Sequence, residues 1–316
     1  PAKKLGGESY LSWDFEKVEK EVLNYNPDVI IAHAYRHKHT TKVLKIAKKL
    51  NCKVFLVTHA PFVDKDSTRS LLAKLAVKFY DRFIGKKTIN QFTKIIAIAK
   101  WEIPYLKKLG VSDKKIVYIP NGIPDQFFKQ KIKPFKRRNI IFLGRISEVK
   151  NLQILIKAFN ILNKKNKNLI LEIIGPEEQP YAGSLKTLTE KLNLNVKFLP
   201  PIYNLNKKIR ALQEADIFVL PSKREAMPQA LIEAMSLGKI VISSRTRGGL
   251  EIISNGATGF LFDIGDEKGL SEIIEFCLNE KNKKLINTIK EKARKRSEEF
   301  KWGVLSKKLD KLIKEK

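Results

Sequence analysis

Short runs of apolar, largely β-branched residues alternate along the chain with longer amphipathic stretches. Such alternation marks strand–helix–strand units that feed a parallel sheet, whose strands are buried on both faces and so read as continuous hydrophobic runs. In the first half the runs fall at residues 28–32, 53–58, 94–99 and 116–119, with helical spacing at 13–23, 40–50 and 67–85. The second half restarts the pattern, with strands predicted at 139–143, 169–174, 196–199, 217–220, 240–243 and 259–262. Helices are predicted there at 151–163, 183–192, 206–215 and 229–236. The expected fold class is α/β, with two doubly wound, Rossmann-like domains joined near a polar, basic stretch at 125–138. A doubly wound domain normally opens with a strand, whereas this chain is expected to run from Pro1-Ala2-Lys3-Lys4 into helix. The N-terminal domain is therefore expected to lack its first strand or strands. In open sheets of this kind ligands bind outside the carboxyl ends of the strands, so chemistry is sought in the loops that follow them.

Composition narrows the classes. At 316 residues the chain exceeds what one core usually serves, and 43% hydrophobic residues, including 17 Phe, exclude a disordered or fibrous protein. Cys52 and Cys277 provide neither a disulfide framework nor a cysteine zinc cluster, which fits a reducing, cytoplasmic setting. Nowhere do 18 apolar residues run together, and residues 1–7 lack the apolar core of a signal peptide, so neither a span nor an export signal is expected. The net charge is +29, with 30 basic and 12 acidic side chains in residues 1–138 against 32 and 21 in residues 139–316. A field of that size attracts anions. Nucleic acid is not expected as the anion, because zinc-finger spacing and an aromatic-basic RNA signature are both missing and the lysines are spread over many helices.

One basic segment, bounded by Lys65 and Lys87, combines seven basic residues with Leu71, Leu72, Leu75, Phe79, Phe83 and Ile84 at roughly helical spacing. Lys74, Lys78, Arg82 and Lys86 follow one another at intervals of four. The pattern suits an amphipathic helix on anionic lipid, and equally an ordinary core helix with a solvated lysine face. The first alternative places the protein peripherally on the inner membrane face.

The richest chemistry lies in residues 221–238, PSKREAMPQALIEAMSLG. Glu225 would hang in a loop at the sheet edge, and Glu233, eight residues on, projects from a face with Leu231, Ala234 and Met235. A carboxylate on an apolar face needs a partner, because an unpaired buried charge is costly. The hydroxyls of a sugar and a ribose would serve. The start of the same helix offers free amides to a phosphate, and since Pro228 has no N–H, those amides come from Gln229 and Ala230.

Further motifs stand in order along the chain: Val117-Tyr118-Ile119-Pro120-Asn121-Gly122; Phe142-Leu143-Gly144-Arg145-Ile146 with Lys150-Asn151; Ile173-Ile174-Gly175; Ala215-Asp216 with Leu220-Pro221-Ser222; the Glu225–Glu233 pair; and Gly248-Gly249-Leu250-Glu251-Ile252 with Gly259-Phe260-Leu261. In this order they resemble the retaining, nucleotide-sugar-dependent glycosyltransferases of family 4 (glycosyl transferases group 1), over nearly all of residues 28–303.

The resemblance implies the GT-B architecture, two Rossmann-like domains facing a cleft. Residues 1–125 would form the acceptor-side domain, 126–138 the linker and 139–298 the nucleotide-sugar domain, with a helix at 299–316 packing back toward the first domain. It implies transfer of a sugar, with retention, from a nucleotide-diphosphate sugar such as a UDP- or GDP-sugar to an acceptor hydroxyl on a glycan or lipid-linked acceptor. No metal or other cofactor is implied. Arg145 and Lys150, after Gly144, would hold the diphosphate as its charge grows; Glu225 would bind hydroxyls of the donor sugar and Glu233 the ribose. Pro200 and Ile202 would border the base. His59, in Val57-Thr58-His59-Ala60-Pro61-Phe62, resembles the family histidine near the anomeric carbon, where it would orient the donor or help the acceptor lose its proton.

Departures from the family pattern fall between the glutamates, where Ala226 and Met227 replace the usual Gly and aromatic residue, and at Pro200-Pro201. They leave the sugar pocket and the base open. Tyr35, Arg36 and His37, from Ile31-Ala32-His33-Ala34-Tyr35-Arg36-His37-Lys38-His39, are read as lining the acceptor side. A metal is not expected at these histidines, since no carboxylate or cysteine joins them at useful spacing. An oxidoreductase is disfavoured because no G-x-G-x-x-G follows a predicted strand. A catalytically inactive sugar-nucleotide-binding relative or partner subunit remains the alternative.

Overall fold

A computed structural model describes residues 2–5, 8–11, 14–62, 71–133 and 139–315. Trp13, residues 65–70 of the basic segment and residues 134–138 of the expected linker lie outside the described residues. The chain divides into two compact units, one made of Pro1–Pro120 with Leu309–Lys316, the other of Asn121–Lys308.

In the first unit an antiparallel pair, β1 (Ala2–Leu5) and β2 (Glu8–Leu11), comes before the first helix, where the sequence pattern predicted no strand. Runs of four residues carry too little periodicity to be separated from a loop. A four-stranded parallel sheet follows in simple chain order, β3 (Val29–His33), β4 (Lys53–Val57), β5 (Lys94–Ala97) and β6 (Ile116–Tyr118). Around it run α1 (Phe15–Tyr25), α2 (Lys38–Leu50), α3 (Leu71–Tyr80), α4 (Lys86–Ile89) and α5 (Ile103–Lys108). Helix α2 buries Thr40, Ile46 and Ala47 and stops at Asn51, whose left-handed backbone turns its N–H back onto Ala47 and Lys48 carbonyls. A π turn, Asp81–Gly85, joins α3 to α4. Leu56, Ile89, Ile95, Ala97 and Leu106 are fully buried between sheet and helices.

The second unit holds a six-stranded parallel sheet. Its strands are β7 (Asn139–Leu143), β8 (Ile170–Ile174), β9 (Val196–Leu199), β10 (Ile217–Leu220), β11 (Ile240–Ser244) and β12 (Phe260–Phe262), in the order β12-β11-β10-β7-β8-β9. The helices are α6 (Leu152–Lys165), α7 (Tyr181–Lys191), α8 (Leu205–Glu214), α9 (Gln229–Ser236), α10 (Arg247–Ile252), α11 (Glu267–Leu278), α12 (Lys283–Ser297) and the start of α13 (Trp302–Lys314), whose residues from Leu309 on belong to the first unit. Phe142, Phe159 and Phe218 are buried completely in its core, each contributing about 2–3 kcal/mol of hydrophobic stabilisation. From β7 the chain winds outward through β8 and β9, then returns to β10 beside β7 and winds the other way. The strand order therefore reverses between β7 and β10, the place in an open sheet of this kind where ligands bind beyond the carboxyl ends of the strands.

Candidate functional site

Both predicted cations leave β7 at that reversal. Gly144 donates its N–H to Ile174 O (3.0 Å), Ile146 N–H donates to Pro176 O (2.8 Å) and Glu178 N–H to Ile146 O (3.0 Å), across the loops after β7 and β8. The contact is so close that a Cβ on Gly175, at φ +154°, would lie 1.8 Å from Gly144 O, which only glycine permits. Arg145 extends from this loop with its side chain 62% exposed and its guanidinium 3.1 Å from Glu178. An ion pair that open to water contributes little. Lys150 closes the 3₁₀ turn Glu148–Lys150, and left-handed Asn151 starts α6 directly after it.

The ammonium of Lys150 lies 2.6 Å from Glu225 Oε1, which also accepts a 2.6 Å bond from the Ser222 hydroxyl. Both members of the ion pair are largely shielded, Lys150 at 19% and Glu225 at 10% exposure. Backbone bonds fix the geometry: Lys223 N–H donates to Val149 O, Gly248 N–H to Glu225 O, and Ser244 Oγ to Ser222 O. A Cβ on Gly248 would strike Pro228 and the Ala226 carbonyl, so the Gly248-Gly249 turn packs directly on the loop between the two glutamates.

Glu233 sits in α9 with its side chain 6% exposed, its Oε1 2.5 Å from Lys208 Nζ of α8. Its Oε2 is buried without a hydrogen-bond partner. Burial raises the Glu233 carboxyl above the ordinary carboxylate range, and the Lys208 ammonium pulls against that rise. Helix α9 starts at Gln229 with no side chain capping it; the Gln229 amide donates instead to Gly122 O (2.7 Å). Ala230 is half-buried, Pro200 is exposed and Ile202 half-buried after β9. Lys150 and Glu225 are thus brought into contact, whereas Arg145 pairs with Glu178 and Glu233 with Lys208. Lys208 was not singled out by the sequence, and Ser222 stood in a motif without its bond to Glu225 being legible. No spacing rule connects Lys208 to a glutamate 25 residues on, in another helix.

In the first unit, His33 and His59 end β3 and follow β4, with His33 Nδ1 and His59 Nε2 2.8 Å apart. Ala34, Arg36, His59 and Ala60 all have φ between +50° and +73°, a backbone region costing about 1–3 kcal/mol for each such residue and concentrated at functional sites. The His59 imidazole pKa is lowered by desolvation first, then by His33 and His37. Tyr35 is buried, with its hydroxyl donating to Asp81 (3.0 Å), and burial pushes its phenol up. The Arg36 guanidinium grips both Asp81 oxygens (2.9 and 2.7 Å), donates to Pro61 O and lies over the Tyr35 and Phe62 rings. Asp81, at the start of the π turn and not foreseen from sequence, thereby ties α3 to the loops after β3 and β4. His37 precedes α2, with its ring 5.4 Å from that of His39. Among the described residues no three His, Cys, Asp or Glu side chains are grouped to hold a metal ion.

Two units, each with a parallel sheet, the second with a strand-order reversal flanked by Lys150 and Glu225, define a Rossmann-like, two-domain protein of the GT-B type. The fold matches a solved glycosyltransferase from Rickettsia africae with a TM-score of 0.77 at 19% identity, covering 97% of this chain and 83% of that one. It also matches Anabaena HepE in complex with UDP-glucose, with a TM-score of 0.74 at 19% identity, covering 97% and 85%.

The chain belongs to the glycosyl transferases group 1 family, whose model matches residues 124–296, and the Glycosyltransferase Family 4 model matches residues 2–127. Among curated relatives, a Campylobacter jejuni N,N'-diacetylbacillosaminyl-diphospho-undecaprenol alpha-1,3-N-acetylgalactosaminyltransferase is 28% identical over 68% of this chain and 55% of its own length. An Escherichia coli UDP-Gal:alpha-D-GlcNAc-diphosphoundecaprenol alpha-1,3-galactosyltransferase is 29% identical over 73% and 62%. The chain spans about half the length of the curated relatives it matches.

Proposed function

We propose that this protein transfers a sugar from a nucleotide-diphosphate sugar to the hydroxyl of a lipid-linked glycan acceptor, with retention at the anomeric carbon. The observation that carries the reading is the pairing at one strand-order reversal of Lys150 with Glu225; Glu233, whose buried Oε2 has no hydrogen-bond partner among the described residues, stands in the helix that follows Glu225. A diphosphate supplies the anion that Lys150 can exchange for Glu225, and Arg145 is free to turn from its solvent-exposed pair toward the same phosphates. Glu225, released, accepts from donor-sugar hydroxyls, and Glu233 Oε2 from the ribose. Gln229 and Ala230 offer amides at the start of α9, and Pro200 and Ile202 border the base.

As the bond from the anomeric carbon to the diphosphate oxygen breaks, the acceptor oxygen bonds on the same face and its proton passes to the departing diphosphate. Lys150 and Arg145 stabilise the charge that grows there. His59 orients the donor sugar or assists the proton's departure. Tyr35, Arg36 and His37 belong to the acceptor side, with Arg36 and Tyr35 acting through Asp81 to shape it. Two relatives named for diphosphoundecaprenol substrates support a lipid-linked acceptor.

The α3 helix supports a bilayer as the surface on which that acceptor is met. Leu71, Leu72, Leu75, Phe79 and Phe83 are all more than half exposed, and Lys74, Lys78 and Arg82 interleave with them. That combination suits an anionic lipid interface. No described helix is long and apolar enough to cross a membrane.

The test is a thermal-shift panel of UDP- and GDP-sugars, since selective binding raises the melting temperature by mass action. Stabilisation by one of them, followed by transfer to a diphospholipid-linked sugar, is the expected result. No stabilisation by any of them sinks the reading, and binding without turnover identifies an inactive relative.

A further inference from the structure

Glu102 is completely buried in the first unit, where carboxylates are rare unless their oxygens are satisfied. Its Oε1 accepts from the N–H groups of Ile98 (2.9 Å) and Ala99 (3.0 Å), and its Oε2 from the Thr58 hydroxyl. One half of this arrangement is ordinary. Ala99 precedes the 3₁₀ turn Lys100–Glu102 that leads into α5, and a glutamate at the third position reaching back to the preceding amide is half of a capping box. Ala99 has no hydroxyl to complete the other half. The Oε1 contacts serve that cap. The contact to Thr58 does not, because Thr58 lies in a different loop, after the adjacent strand β4.

Thr58 and Ala60 flank His59. His59 and Ala60 hold φ values of +56° and +50°, which an isolated loop would abandon. A strained conformation persists only where its surroundings over-determine it. The sheet fixes Thr58, whose N–H donates to Ile96 O, and the Tyr35 N–H reaches back to Thr58 O. Beyond that point Glu102 grips the loop from below while His33 meets the imidazole from the side.

We propose that Glu102 is the positioning residue of His59: gripping Thr58, the residue directly before it, Glu102 holds the histidine in its left-handed conformation with Nε2 facing His33 Nδ1. The functional weight of this bridge rests on the role given to His59 above. Glu102→Gln removes the negative charge to which the Ile98 and Ala99 amides and the Thr58 hydroxyl donate, and sets an NH₂ group in place of one of its acceptor oxygens. Thr58→Val removes the bridge from its other end at nearly constant volume, and Thr58→Ser keeps it.

The chain contains four histidines, so their ring Cε1–H signals can be followed individually by NMR across pH. In the wild type, desolvation is expected to hold the His59 titration below the ordinary imidazole range. It is expected to shift upward in E102Q and T58V and to stay in place in T58S. An unchanged His59 titration in both E102Q and T58V overturns the proposal. Should E102Q fail to fold, T58V against T58S decides alone. The role of His59 is tested separately by release of UDP or GDP from the sugar nucleotide that stabilises the wild type. Release should fall about 10- to 100-fold in E102Q, the scale of a slight misplacement of a reacting group, and no further in E102Q combined with His59→Ala. Undiminished release in His59→Ala would sink the role of the histidine while leaving the bridge standing.

Discussion

Replacing Lys208 with Met tests the electrostatics around Glu233 most sharply. In the wild type the Lys208 ammonium lies 2.5 Å from a carboxyl whose side chain is 6% exposed and whose second oxygen has no partner. Removing one partner of a fully buried pair costs about 3–5 kcal/mol. Lys208 itself is 24% exposed, so a smaller loss of about 1–3 kcal/mol is expected. At roughly 2–4 °C per kcal/mol for a domain of this size, the melting temperature should drop by several degrees.

The pH dependence fixes the cause. Burial raises the folded-state pKa of Glu233 above its unfolded value, so its contribution to stability is fully present below the unfolded pKa and is lost as pH rises through the folded one. Without Lys208 the folded value climbs further. The penalty of K208M should then be small at pH 5 and full at pH 8. Glu233→Gln removes the buried charge that K208M leaves unpaired, so it should restore stability in the K208M background; as a single change it leaves Lys208, 24% exposed, a path to water. Thermal melts at the two pH values, on the single and double variants, provide the assay. An equal loss at pH 5 and pH 8, or no rescue by E233Q, would refute the electrostatic account.

Other outcomes follow from the same geometry. Lys150→Ala should leave the protein folded, abolish the thermal shift produced by the donor nucleotide sugar, and cut turnover by about 100-fold or more, the scale of a lost charge-stabilising donor. Gly175→Ala should cost about 3 kcal/mol or more in urea unfolding because its Cβ meets the Gly144 carbonyl. Gly265→Ala, at φ +90° with open space around it, should cost only about 1 kcal/mol. Paired Leu75→Ser and Phe79→Ser changes should abolish co-sedimentation with anionic vesicles. Binding that ignores lipid charge, salt and these two residues would refute the bilayer surface.

The larger elements were legible because their signals are local. Continuous apolar runs such as 217–220 can only be buried strands in this setting, and the Ile240–Ser244 strand begins where it was expected. The β1–β2 pair escaped because strands of four residues offer too few periods to read. Glu225 and Glu233 stood out as charges beside an apolar helix face. What each touches did not, because Lys208, Ser222 and Asp81 reach their partners only after the chain has folded. Glu102 was hidden for a more specific reason: a capping glutamate is usually announced by Ser or Thr three residues earlier, and here Ala99 occupies that place.

The Lys150–Glu225 contact also bears on discrimination. A cation already neutralised by its own carboxylate is a poor trap for inorganic phosphate, which could claim the lysine only by stranding the acid. A molecule that brings negative oxygens for one group and hydroxyl donors for the other repays both at once. Selectivity of this kind arises from an exchange of partners, with no need for a pocket shaped to exclude the wrong guest.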